Sequence, residues 1–368
     1  MPSAGLGEMK DFAPDVRPVP MEGHGAYNRS SIVQAAGSMA AVAHFEQAAQ
    51  VADLPSSGPI VIADYGCSQG GNSLAPMEAG IRTLRGRVGP DQEISVIHTD
   101  LPDNDFQALF RTLDTDKRSY LRHDAATFAS AVGRSFYGQI LPSGCVTLGW
   151  SSWAVQWLSR LPGFIPDQVQ VAFSRDPVTR AAFAAQAAED WRTFLTHRGR
   201  ELRPGGRLVV LTMALTEAGE FGYGPILEAI YATLRRLVDE GWLSPVELHR
   251  MAIPTVGRSL ADIGAPFAAS GRFAGLSVEH VELFLSEDTI WQMFQSDCDA
   301  HAFGARWAAF SRASVLPTLA QALEDGRDGP RAVQFVAMVE AGMAAALAAA
   351  PQPMVIPLAT VVLAKDPS

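Results

Sequence analysis

Asp64-Tyr-Gly-Cys-Ser-Gln-Gly-Gly-Asn72 is the stretch of this chain best suited to meet a ligand with its backbone. Gly66 and Gly70 keep Cβ atoms out of the way, and the start of a following helix offers unpaired N–H groups. The spacing is Asp-x-Gly-x-x-x-Gly and not the Gly-x-Gly-x-x-Gly of a dinucleotide fingerprint. It suits a ligand that lacks a pyrophosphate, such as S-adenosylmethionine; a plain strand-to-helix turn would read the same way. Asp100 closes a second apolar run, Glu93-Ile-Ser-Val-Ile-His-Thr-Asp100. A carboxylate there can accept both hydroxyls of a ribose. Capping the next helix is its competing use, with Asp103 and Asp105 as rivals for that task. Asp297-Cys-Asp-Ala-His301 has metal-ligand residue types but matches no closed zinc spacing, so a polar loop and no metal are expected. Ser151-Ser152 lacks a hydrolase elbow. His44 and His98 sit in apolar surroundings and read as core or rim residues.

The elements that must hold these groups alternate between strand and helix. Ile60-Val-Ile-Ala-Asp-Tyr is a buried-strand run, Gly144 to Ser151 a third strand, and Arg207 to Thr212 a fourth, after a Pro204-Gly-Gly turn. Helical patterns cover Ser30 to Ala52, the region from about Ser73, and Pro177 to Glu201, the last with Asp176 as N-cap. Val278 to Phe284 and Met354 to Ala364 read as final strands. Such alternation predicts βαβ units and a mainly parallel, doubly wound sheet. Helices near 215–260 and 285–350 are expected to cap the carboxyl ends of its strands.

The net charge of −10 argues against nucleic acid, whose phosphates demand clustered cations. A 48% hydrophobic and 18% charged composition over 368 residues needs no disulfide or metal staple. Cys67, Cys145 and Cys298 are too few and too scattered for a disulfide framework, which points to a reducing cytoplasm. No signal-peptide pattern is read at the N-terminus. Ala341 to Ala364 is apolar but broken by Pro351 and Pro353, so a packed helix followed by a strand is expected in place of a membrane span.

Six blocks in order give the chain a closer resemblance. They are Tyr27-Asn-Arg-Ser-Ser-Ile-Val-Gln34, the Ile62–Leu74 loop block, Asp100-Leu-Pro-Asp-Asn-Asp-Phe-Gln-Ala-Leu-Phe110, Ser135-Phe-Tyr-Gly-Gln-Ile-Leu-Pro142, Ser151-Ser-Trp-Ala-Val-Gln-Trp-Leu-Ser159, and Phe194 through Leu208. Together they resemble the SABATH family, the salicylate, benzoate and theobromine methyltransferases. The Ala-rich helices give the chain the look of a bacterial member.

The resemblance implies an α/β, Rossmann-like class I methyltransferase sheet of seven mostly parallel strands with an α-helical cap. It divides the chain into a lead-in (1–26), an S-adenosylmethionine-binding core (27–214), a mainly helical cap with a returning strand near 278–284 (215–350), and a last strand (351–368). It implies that Tyr27 and Ser31 close over the cofactor. Asp64, Gly66, Cys67, Gly70 and Asn72 would hold the cofactor's amino-acid end, Asp100 its ribose, and Leu101, Ser135 and Phe136 its adenine. Gln34 and Trp157 match the pair that holds the acceptor carboxylate, and both are neutral donors. Trp153, Gln156, Met213 and Val256 would line the acceptor pocket, where Trp153, Gln156 and Val256 depart from the usual residues. Tyr65 stands where Leu is usual, and Gly71 where Pro is usual. The implied activity is methyl-ester formation on a small hydrophobic carboxylic acid by a homodimer, with no nucleic-acid or membrane partner. Ring-nitrogen methylation and a non-catalytic ligand binder are the alternatives.

Overall fold

The computed structural model describes residues 20–23, 28 and 31–367. Its elements in chain order begin with α1 (Ile32–Val51), β1 (Ile60–Tyr65), α2 (Leu74–Val88), β2 (Ile94–Asp100), α3 (Phe106–Thr115), β3 (Thr127–Gly133) and β4 (Val146–Ser152). They continue with α4 (Pro177–Glu201), β5 (Leu202–Met213), α5 (Gly224–Asp239), α6 (Pro245–Arg250), α7 (Leu260–Gly264), β6 (Arg272–Phe273) and β7 (Leu276–Leu285). The last are α8 (Thr289–Asp297), α9 (Ala300–Ser314), α10 (Leu316–Ala320), α11 (Ala332–Ala349) and β8 (Pro357–Lys365).

The strands form one sheet in the order β3-β2-β1-β4-β5-β8-β7-β6. The first five run parallel, while β8 lies antiparallel to both β5 and β7. This is the expected Rossmann-like sheet with one addition. Ala274 (φ 54°) and Gly275 (φ 72°) both take left-handed backbone, the twist that a two-residue hairpin needs. They fold the short β6 back onto β7 as an eighth, edge strand.

Side-chain parity assigns the two faces. Ile60, Ile62, Val209 and Leu211 point to the side of α1 and α2, where Phe45 meets Trp150 edge to face at 5.2 Å. Ala63, Tyr65, Leu208 and Val210 point the other way, onto Trp191, Phe194 and Leu195 of α4. Helix α4 begins as its sequence demands, with the Asp176 carboxylate accepting from Thr179 N–H and Pro177 in the first turn. Among the described residues α11 alone is long and apolar enough to cross a bilayer. Its stripe of Ala332, Phe335, Val339, Met343 and Leu347 is buried, and it packs on α9 and α5.

Order reversal falls between β1 and β4, which pair directly. In a doubly wound sheet the ligand crevice opens at that point, beyond the strands' carboxyl ends.

Candidate active site

The turn after β1 sets the floor of the crevice. Gly66 has φ 88°, and a Cβ built on it would lie 2.5 Å from the Cβ of Ala154. Gly70 (φ 81°) is equally constrained, by Leu109. Between them the loop hangs on β2: Gly66 and Cys67 N–H both donate to Thr99 O, and Ser68 N–H donates to Asp100 Oδ2 at 2.7 Å. Asn104 closes the turn by donating to Ser68 O at 2.8 Å. Asp100 is therefore spared from helix capping, which Asp105 performs on Ala108 N–H. Its Oδ1 accepts from Leu101 N–H, and burial still pushes its carboxyl up to about 6. The same burial, beside Asp100 and Asp64, holds the Cys67 thiol well above its ordinary range and hence protonated.

Gly66, Asp100, Leu101, Ser135 and Phe136 line one cavity of about 890 Å³. Asp64, Cys67 and Asn72 line a small recess continuous with Gly66. Ser31 stands behind that recess and donates to Asn72 Oδ1 at 3.3 Å. Gly70 serves the turn and does not reach the cavity wall; Tyr27 lies outside the described residues. Asn28 clamps the loop from outside, its Oδ1 accepting from Gly71 N–H at 3.1 Å. A Cβ at position 71 would come within 2.5 Å of that oxygen, which accounts for glycine here.

Asp64 is held by a partner the sequence reading left in the core. His98 Nδ1 lies 2.8 Å from Asp64 Oδ2, and its Nε2 lies 2.8 Å from Tyr120 Oη, with all three residues buried. Burial raises the Tyr120 phenol far above its usual range, so it stays protonated. The donor order that satisfies every atom runs from Tyr120 O–H to Nε2, then from Nδ1–H to Asp64.

The Ser135–Gln139 loop is fixed by a second buried group that sequence reasoning missed. Arg198 and Glu201, one turn apart on α4, pair at 2.8 Å with no solvent exposure. Arg198 donates to the carbonyls of Phe136 and Gly138, and Glu201 accepts from Ile140 and Leu141 N–H. Tyr65 adds its hydroxyl to Glu201 at 2.7 Å, giving the unusual tyrosine a purpose.

On the acceptor side, Gln34, Trp153, Gln156, Trp157 and Met213 line a recess of about 70 Å³. It shares Met21, Trp153 and Trp157 with the large cavity, so the two meet at the tryptophans. Trp153, itself at φ 55°, donates its indole N–H to Gln34 O at 3.1 Å. Gly37 makes the room: a Cβ there would lie 3.0 Å from the Trp153 ring. The Gln156 amide is spent on the wall, donating to Trp153 O at 2.6 Å. Val256 is a correction. It packs with Leu158, Leu161 and Phe183 and faces an adjoining cavity of about 650 Å³, which shares Gln170, Phe221 and Tyr223 with the recess. Thr255, bridged to Trp157, faces the acceptor recess instead, because adjacent residues of extended chain point opposite ways. Tyr223 also lines the recess and carried no sequence signal. Asp297 to His301 is not the polar loop expected but a two-residue junction, Cys298-Asp299, between the end of α8 and the start of α9, with Asp297 paired to Arg306 and Asp299 capping α9.

Sheet order, glycine turn and acid-tipped second strand around one crevice define a methyltransferase of the S-adenosylmethionine-dependent class. The chain belongs to the SAM-dependent carboxyl methyltransferase family, whose model matches residues 18–329. It is 31% identical over 275 residues to the O-methyltransferase acrG of Aspergillus aculeatus, covering 72% of this chain and 71% of that one. It is 28% identical over 250 residues to the salicylate carboxymethyltransferase of Clarkia breweri, covering 65% and 67%. These relatives are fungal and plant, so the bacterial look has no support in them. The fold matches that of a loganic acid methyltransferase solved with SAH, with a TM-score of 0.74 at 21% identity over 94% of this chain and 99% of that one.

The residues present fit the cofactor. A Cβ-free cradle at Gly66, two carboxylates for a cationic, diol-bearing ligand, and the apolar Leu101 and Phe136 match its chemistry part by part.

Proposed function

We propose that this enzyme forms the methyl ester of a small carboxylic acid with a hydrophobic body, aromatic, indolic or fatty, without a general base. One observation carries the reading: Gln34 and Trp157 lie together in a recess where no charged side chain stands among the described residues. A carboxylic acid is already anionic at neutral pH, so no proton need be removed. Bound S-adenosylmethionine supplies an electrophilic methyl group on a sulfonium. The chain's part is to hold one carboxylate oxygen in a near-attack position in a dry pocket. Two neutral donors suit that task, since a cationic clamp would blunt the nucleophile. Met213, Phe221 and Ile226 offer the acid's body an apolar wall. The relatives' names, which include acids as acceptors, support the same class.

The test is a panel of aromatic, indolic and fatty acids with methyl-labelled cofactor, reading labelled ester. Gln34→Ala should lower kcat/KM at least ~10-fold, equivalent to one hydrogen bond to a charged group. Undiminished turnover in that variant would sink the carboxylate assignment. The proposal includes a homodimer, measurable by light scattering. It also includes a cytoplasmic location, supported by three free thiols, Cys67, Cys145 and Cys298.

A further inference from the structure

We propose that His44, His280 and Glu282 form a binding site for a divalent transition metal of the zinc class, tying α1 to β7. His44 Nε2 lies 3.1 Å from Glu282 Oε1, and His280 Nε2 lies 3.6 Å from Glu282 Oε2. Ligand atoms on a tetrahedral zinc, at bonds of ~2.0–2.1 Å, stand about 3.3 Å apart, so these gaps already have the size of a coordination shell. The two imidazoles stack with centroids 4.4 Å apart, and the ligand atoms of all three residues lie within 4.8 Å of one another.

Three further facts favour a metal over a plain ion pair. His280 Nε2 is buried and has no hydrogen-bond partner, a costly state that a metal bond relieves. Two imidazoles and one carboxylate form a donor set for zinc and its neighbours, where calcium or magnesium would take oxygens. His280 and Glu282 are 40% and 39% exposed at their side chains, leaving an entry path and space for a water as fourth ligand. The backbone arranges this. A register shift between Val278 and His280 in the pairing with β8 sets the parity that turns His280 and Glu282 toward α1. The other close trio among the described residues, Asp64, Cys67 and His98, belongs to the cofactor loop, and both His98 nitrogens are engaged.

Chelator-treated protein saturated with S-adenosylhomocysteine is titrated with zinc chloride by calorimetry, and with cobalt chloride by absorption. One zinc per chain is expected, with affinity falling at least ~10-fold in His44→Ala and in Glu282→Gln, the least that even an outer-shell loss costs. Cobalt should show ligand-field bands without thiolate absorption. Absence of saturable binding overturns the proposal, as does wild-type affinity in either variant or a thiolate band that Cys67→Ser removes. Circular dichroism checks folding; the near-isosteric Glu282→Gln decides alone where His44→Ala does not fold.

Discussion

The indole N–H of Trp153 donates to the backbone carbonyl of Gln34, locking the turn after β4 to the first turn of α1 across the mouth of the acceptor recess. Gln34 thus presents its amide from a helix anchored through its own main chain. Trp153→Phe keeps a ring but removes that bond, a loss of about 0.5–1.5 kcal/mol, since Ser38 Oγ still donates to the same carbonyl at 2.7 Å. The expected outcome in steady-state kinetics is a rise in KM for the acid that clearly exceeds any change in S-adenosylhomocysteine affinity.

Gly66→Ala adds a Cβ where φ is 88° and Ala154 stands 2.5 Å away. The backbone term alone costs about 1–3 kcal/mol. Calorimetry should show S-adenosylhomocysteine binding weakened at least ~10-fold. Gly58→Ala is the control: φ is 77° but nothing lies within 4 Å, so stability falls while binding holds.

Asp100 gives opposite pH signs for two measurements. Its carboxyl is raised from the usual 3.8 to about 6, chiefly by burial. A raised acid binds its proton more tightly folded than unfolded, so this group's contribution to apo stability falls as pH climbs from about 4 through 6. Ribose hydroxyls need the carboxylate, so S-adenosylhomocysteine affinity should instead fall as pH drops below about 6. Asp100→Asn should flatten both profiles.

Arg198→Met strands the Glu201 carboxylate, together with Tyr65, in a dry interior. Removing one partner of such a pair costs about 3–5 kcal/mol. Urea unfolding should also show that Arg198→Met with Glu201→Leu costs less than the two single changes added, since both act on one network.

Much of this was legible because local chemistry and tertiary context agree. The apolar run at Ile60 and the acid-tipped run ending at Asp100 became β1 and β2, and the proline-started helix runs from Pro177 to Glu201 as its cap implied. The edge strand Thr127–Gly133 went unread, since half-exposed Ala and Ser residues carry little strand signal. The Pro204-Gly-Gly turn survives as an irregularity inside β5, with four residues passing between the pairings of Leu202 and Arg207. At the site, backbone-cradling residues were readable from glycines and acids. The Arg198–Glu201 pair and the His98–Tyr120 support were not, because their partners are brought together only by packing.

Thr255 and Val256 stand back to back on an extended segment, one facing the acceptor recess, the other the neighbouring 650 Å³ cavity. A deletion of one residue just upstream would bring Val256 to the recess and Gly257 to the neighbouring cavity. The wall of the recess is therefore set by the register of one short segment as much as by the residue types it carries.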